Sequence, residues 1–112
     1  MDDARLAAQA ISEGLNCLHR CATMLANGTN ETPDPDSVAI LDAMERACET
    51  TRSGTVSTDM VITDNHIATL RHARILVQEW MNTGHGSQEL ISLIDSMMKS
   101  LGYSEPCAVN PE

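Results

Sequence analysis

The sequence predicts an all-α fold, a small four-helix bundle packed largely antiparallel, and three observations support this prediction. Four stretches place nearly all of their aliphatic residues on one helical face at about 100° per residue. Phe is absent and Trp occurs once, so aliphatic residues, Met and Cys must fill the core. The length, 112 residues, is that of one domain. We assign residues 1–102 to the bundle and expect residues 103–112 to form a flexible acidic tail.

The first helix is predicted from Asp3 to Leu25, where apolar and polar residues separate cleanly into two halves of the helical wheel. Asn27 and Gly28 end it, because Gly28 can adopt the left-handed conformation that closes a helix. The predicted buried side consists of Leu6, Ala7, Ala10, Ile11, Leu15, Cys17, Leu18, Cys21, Ala22, Met24 and Leu25.

The second helix begins either at Asp34-Pro35 or at Asp36-Ser37, since both pairs provide a capping side chain followed by a residue suited to a first turn. We expect the stretch Thr50 to Thr58 to interrupt the helical periodicity, because it contains a turn composition. The predicted buried arc of this helix is Ile40, Leu41, Ala43, Met44, Ala47 and Cys48.

Residues 55–63 are the least regular part of the chain. They are compatible with a short extended segment or with an early start of the third helix at Ser57 or Thr58. From Thr63 onward the periodicity predicts a helix. Its apolar face is formed by Ile67, Leu70, Ala73, Leu76, Val77, Trp80 and Met81.

A second apolar stripe recurs every seven residues on the opposite side of the third helix, at Val61, Ala68 and Ile75. A helix on the surface of a monomer needs only one apolar face, so a second stripe indicates a central helix or a contact with another chain. We therefore predict that these three residues are a self-association seam.

The fourth helix follows Ser87, which is a good N-cap, and ends at Gly102. Asp95 and Lys99 are four residues apart and are expected to form an ion pair on the solvent side. The predicted buried arc is Leu90, Ile91, Leu93, Ile94, Met97, Met98 and Leu101.

The composition limits the classes of partner. The net charge is −9, from 16 acidic and 7 basic residues, so direct binding to nucleic acid or to an anionic membrane is disfavoured. No stretch has the pattern of a signal peptide or of a membrane span, and we expect a cytoplasmic protein with reduced cysteines. Such a charge suits a basic protein partner.

Acidic residues cluster on the second helix, where Asp42, Glu45 and Glu49 form one strip at intervals of three and four residues. Like charges at this spacing weaken a helix unless water or a cationic partner meets them. A solvated helix face explains the strip, and so does a binding surface. We predict that Asp36, Asp42, Glu45 and Glu49 contact the partner.

Cysteine and histidine residues do not assemble into a recognisable reaction centre. Cys17 and Cys21 lie one turn apart on the apolar face, so packing is the favoured interpretation and a metal site the alternative. His66 lies near the apolar side of its helix and is interpreted as a capping or core-edge residue. We predict no catalytic residue, no metal ligand and no cofactor.

The favoured function is therefore non-enzymatic. We expect a small acidic interaction protein that binds a basic partner, such as a protein that itself binds nucleic acid, and inhibits or regulates it. The alternative is a helical structural or assembly subunit that forms a homodimer or larger homo-oligomer through the third helix.

Overall fold

The computed structural model describes residues 3–28, 31–54 and 61–101, and within these ranges it contains four helices and no strand. They are α1 (Asp3–Ala26), α2 (Ser37–Ser53), α3 (Asp64–Thr83) and α4 (Gln88–Ser100). The prediction of an all-α bundle is confirmed. The predicted tail, 103–112, and the ambiguous residues 55–60 lie outside the described residues.

The helices pack in a ring in which each contacts the next and α4 returns to α1, while the described parts of α1 and α3 do not contact each other. Consecutive helices run antiparallel. Arg52 at the end of α2 pairs with Asp64 at the start of α3, and His66, near the start of α3, lies against Ser100 at the end of α4. Leu25, at the end of α1, lies against Gly86, just before α4. The interior between the four helices is filled by one apolar cluster.

This cluster contains one aromatic residue, Trp80, among side chains that are otherwise aliphatic or sulfur-containing. Such a core requires close helix approach, because small side chains leave voids at larger separations. The largest of its fully buried side chains are Trp80, Ile11, Leu18, Leu41, Met44, Leu70, Leu90, Ile94, Met97, Val77, Cys17 and Cys21.

The helix boundaries follow local signals. α2 starts at the later of the two predicted positions, with Asp36 as N-cap. The Thr63 hydroxyl accepts a hydrogen bond from the backbone N–H of His66, so Thr63 is the N-cap and α3 begins at Asp64. The Ser87 hydroxyl accepts from the backbone N–H of Glu89 and confirms the predicted cap of α4.

Two expectations for α2 are wrong. The helix continues to Ser53, through part of the stretch expected to interrupt it, and ends at Gly54, whose φ of 86° is left-handed. Ala43, predicted to be buried, is exposed. It lies about 200° around the helix from the buried Leu41, so it faces outward.

Helices α1 and α2 approach most closely at Gly14, which is buried. A Cβ atom built on Gly14 would lie 2.7 Å from Cβ of Met44 and would also collide with its sulfur. The Met44 Cβ position is fixed by the α2 backbone. Glycine therefore sets the distance between the two helices at this point.

We expect Gly14→Ala to destabilise the protein by about 1–3 kcal/mol, because the added methyl group overpacks this contact. Urea denaturation would measure the change. Alanine is intrinsically the better helix former by about 1 kcal/mol, so a stabilised variant would contradict the steric contact. Ser12→Ala, at an exposed position of the same helix, is the control and should leave the stability nearly unchanged.

Candidate functional site

The predicted acidic strip does not lie in solvent as one surface. Glu45 is buried, with 8% of its surface exposed, at the seam between α2 and α3. The expectation that Glu45 belongs to an open acidic face is therefore wrong. The position of Glu45 on the helical wheel explains its burial. Glu45 is four residues after Leu41 and three before Cys48, so it lies on the same face as these two buried residues.

Two arginines of α3 hold the Glu45 carboxylate. Arg71 Nε lies 2.7 Å from Oε2, and Arg74 Nη2 lies 3.0 Å from Oε1. Burial alone would raise the pKa of Glu45, but the hydrogen bonds from the two guanidinium groups outweigh it and hold the pKa below its usual value. Arg71 also binds Glu49, with Nη2 2.6 Å from Oε2. The strip thus joins α2 to α3.

The other two predicted contact residues remain accessible. Asp42 is half-buried and pairs with the exposed Arg46 at 3.1 Å, an i,i+4 pair of the kind that contributes little to stability. Asp36 is exposed, and its side chain makes no capping hydrogen bond. Asp34, two residues earlier, is exposed as well. Among the described residues, neither Asp34 nor Asp36 has an ion-pair partner.

We call Asp34, Asp36 and Asp42 the acidic edge. It covers the start of α2 and the connection that precedes it. Acidic side chains near a helix N-terminus also interact favourably with the helix dipole. The edge therefore contributes to α2, while the charges of Asp34 and Asp36 stay exposed to solvent.

The residues of the predicted self-association seam are all exposed. Val61 and Ile75 have 79% and 53% of their surface exposed, and Ala68 is also exposed. α3 begins at Asp64, so Val61 precedes the helix. Only Ala68 and Ile75 form the helical stripe, about two turns apart.

His66 caps α3 and links it to α4. Its Nδ1 accepts a hydrogen bond from the backbone N–H of Thr63 at 3.0 Å, so the proton of the neutral ring is on Nε2, which lies 2.5 Å from the hydroxyl oxygen of Ser100. Burial lowers the pKa of His66. The interpretation of His66 as a capping residue at the core edge is confirmed.

Three cysteines are buried and free of disulfides: Cys17, Cys21 and Cys48. The neighbouring Cys21 thiol lowers the pKa of Cys17 against the effect of burial, whereas Cys17 and burial both raise the pKa of Cys21. Burial, together with the negative charges of Glu45 and Glu49, raises the pKa of Cys48 to about 11. The Cys48 thiol is therefore protonated at neutral pH, whereas Cys17 and Cys21 lie one turn apart on the buried face of α1.

A shallow pocket of about 590 Å³ lies between the end of α2 and the start of α3. The charged residues that line it in the described ranges are Arg52 and Asp64, which pair at 3.1 Å. Elsewhere in residues 3–28, 31–54 and 61–101, no three His, Cys, Asp or Glu side chains converge in a way that would hold a metal ion.

Comparisons with protein families, with curated proteins and with solved structures find no match to this chain. The four helices include none that is both long and apolar enough to cross a lipid bilayer.

We expect Glu45→Gln to destabilise the protein by about 1–3 kcal/mol, because two arginines would lose the charge that they share. Chemical denaturation at pH 7 would measure the loss. Asp42→Asn, which breaks only the surface pair with Arg46, is the matched control and should cost about 0.5 kcal/mol or less. Equal effects of the two substitutions would contradict the structural role of Glu45.

The stability of the protein should depend on pH through His66. The folded-state pKa is lowered, so the unfolded chain binds the proton more tightly, and stability is greatest above about pH 6.5 and falls as the pH drops below it. The loss cannot exceed about 1.4 kcal/mol per pH unit for one group. Denaturation between pH 7.5 and 5.5 should show this slope for the wild type and a smaller one for His66→Gln. His85→Gln, in an exposed loop, should keep the wild-type slope.

Proposed function

We propose that this protein is a non-enzymatic interaction module that binds a basic protein partner through the acidic edge and inhibits or regulates that partner. We further propose that it acts in the cytoplasm. The described cysteines are free, which is compatible with a reducing compartment. The partner is expected to present clustered arginine or lysine, as a surface that otherwise binds nucleic acid does.

The observation that carries this proposal is the exposure of Asp34 and Asp36 without an ion-pair partner in the described residues. Their charges remain available to a second molecule, whereas Glu45 and Glu49 are already bound by Arg71 and Arg74. The proposed contact surface is therefore centred on Asp36 and extends toward Asp34 and Asp42, and it no longer includes Glu45.

The distribution of positive charge also supports this surface. Five of the seven basic residues form ion pairs inside the described structure: Arg46, Arg52, Arg71, Arg74 and Lys99. Only two basic residues, Arg5 and Arg20, remain for the acidic residues outside these pairs. A surface of one sign accelerates encounter with an oppositely charged partner and makes binding sensitive to salt.

The proposal predicts that Asp34→Asn/Asp36→Asn, which removes two negative charges, abolishes salt-sensitive capture of a basic protein from the lysate of the source cells. Wild-type and variant proteins would be immobilised and compared at about 0.05 and 0.3 M salt, where screening differs strongly. Bound proteins would be identified by mass spectrometry, and the purified partner would then be titrated against each variant.

Glu13→Gln/Glu79→Gln is the matched control, since it removes two exposed carboxylates from other faces and changes the net charge equally. It should retain binding. If the control weakens binding as much as the change at the acidic edge, net charge rather than this surface is responsible. If the Asp34/Asp36 variant still captures the same partner with the same affinity, the proposed surface is wrong.

A second candidate function is self-association into a homo-oligomeric assembly subunit. The supporting observation is that Val61 and Ile75 are two of the three large apolar residues classed as exposed in the described chain, the third being Leu6 on α1. Two copies that pack their α3 helices together would cover Ala68 and Ile75. The acidic edge lies on the connection before α2 and on α2 itself, so it is not part of the α3 surface that such a dimer would cover.

This second candidate predicts a dimer at high protein concentration, detected by light scattering coupled to size exclusion, that Ile75→Asp converts to a monomer. Leu6→Asp, which places the same charge at an exposed apolar residue of α1, is the control and should leave the dimer intact. A monomer at every concentration would eliminate self-association.

A further inference from the structure

The turn that follows α1 contains the dipeptide Asn27-Gly28, directly after the last helical residue, Ala26. Both residues of the dipeptide are exposed. Gly28 has a φ of 69°, and a Cβ atom built on it would meet no atom of the described structure within 4 Å apart from its chain neighbours. The peptide group that joins Asn27 to Gly28 therefore lies at an uncrowded position on the surface.

The side chain of Asn27 can react with the backbone that follows it. The Gly28 nitrogen loses its proton and attacks the side-chain carbonyl carbon of Asn27, a C–N bond forms, and the amide group takes up the proton and leaves as ammonia. Water then adds to either carbonyl carbon of the resulting succinimide ring and breaks a ring C–N bond, which gives aspartate or isoaspartate. The reaction consumes water and releases ammonia, so no oxidant or reductant is needed.

Glycine at position 28 makes this attack sterically easy. A side chain on the attacking residue would crowd the approach of its nitrogen to Asn27, and glycine has none. The Gly28 N–H donates a hydrogen bond to the backbone oxygen of Leu25 at 3.1 Å, and this bond must open before the nitrogen can react. It lies at the end of α1, and helix ends open more readily than helix interiors. The reaction therefore needs only a local opening, and the bundle stays folded.

The other asparagines of the described structure lie inside helices, where the same attack is hindered. They are Asn16 in α1 and Asn65 and Asn82 in α3. Each is followed by a residue that has a side chain, and the backbone N–H of that residue is held within the helix or its cap. The N–H of His66, which follows Asn65, donates to the Thr63 hydroxyl at 3.2 Å. Asn27 is therefore the asparagine with the fewest constraints on this reaction.

We propose that Asn27 is a site of spontaneous deamidation, and that the reaction adds a negative charge to the pole of the bundle that carries the acidic edge. The end of α1 and the start of α2 lie at the same pole, because the two helices are antiparallel. The net charge changes by one, from −9 to −10. The effect on binding rests on the function proposed above: a basic partner at the acidic edge is attracted more strongly by the modified protein.

The new charge also weakens the end of α1. The C-terminus of a helix carries a partial negative charge, so a carboxylate there is unfavourable and a cation is favourable. The last turn of α1 contains no basic residue that would compensate the carboxylate. Isoaspartate in addition lengthens the backbone at position 27 by one carbon atom, which displaces the Gly28 N–H from the Leu25 oxygen. We therefore expect the modified protein to unfold at a lower urea concentration than the unmodified protein.

The test incubates the folded full-length protein at neutral pH in water labelled with heavy oxygen and follows each asparagine by peptide mass spectrometry. Asn27 should convert faster than the three helical asparagines, take up one labelled oxygen atom, and give both aspartate and isoaspartate. Gly28→Ala should slow the conversion severalfold. Gly54→Ala is the matched control, because it places alanine at another left-handed helix end, with a φ of 86°, and should leave the rate at Asn27 unchanged.

The proposal is overturned if Asn27 converts no faster than the helical asparagines, if aspartate forms without isoaspartate, or if Gly28→Ala reacts at the wild-type rate.

Asn27→Asp, which is the product with a normal backbone, tests the effect of the charge. It should bind the captured basic partner severalfold more tightly than the wild type at about 0.05 M salt, and the difference should shrink at about 0.3 M, where screening is stronger. Equal affinities at low salt would overturn the effect on the acidic edge. If neither protein captures a basic partner, the function proposed above is wrong, whereas the conversion of Asn27 still stands on the mass spectra.

Discussion

Close helix packing is the constraint on which the rest of the structure depends. A core with a single Trp and no Phe has little volume per side chain, so the helices must lie near one another to exclude water. Glycine permits this at two places. Gly14 leaves room for the side chain of Met44, and Gly86 lies against the indole of Trp80 and the side chain of Leu25. The sulfur atoms of Met and Cys adapt to the gaps that remain.

That packing explains why charge enters the seam between α2 and α3. Glu45 lies at the edge of the apolar arc of α2, while Arg71 and Arg74 follow the buried Ile67 and Leu70 of α3 by four residues each. When the apolar faces of α2 and α3 pack together, the charged residues that border them also come into contact, and the Glu45 carboxylate is shielded from water. The ion pairs compensate the free energy that is lost when the Glu45 carboxylate is removed from water. They also disfavour any other register of α2 against α3, because a shift would leave this carboxylate without its arginines.

Periodicity predicted the four helices and most of the core, and the local sequence predicted the cap at Ser87, because these features depend on neighbours within one or two turns. The cap at Thr63 was not predicted. Periodicity did not predict the burial of Glu45, because its partners are 26 and 29 residues away in sequence. The extension of α2 to Ser53 was missed for a related reason. Local turn propensity is weak, and the packing of the helix against its neighbours overrides it. The acidic edge and the stripe at Ala68 and Ile75 remain proposals about surfaces.

The antiparallel ring also determines where the two ends of the bundle point. With four alternating helices, the beginning of α1 and the end of α4 lie at one pole, together with the end of α2. The start of α2, with Asp34 and Asp36, lies at the other pole, beside Gly86 and the end of α1. Both of these helix ends therefore lie about one helix length away from the two aspartates, so a partner bound at Asp36 would leave the opposite pole uncovered.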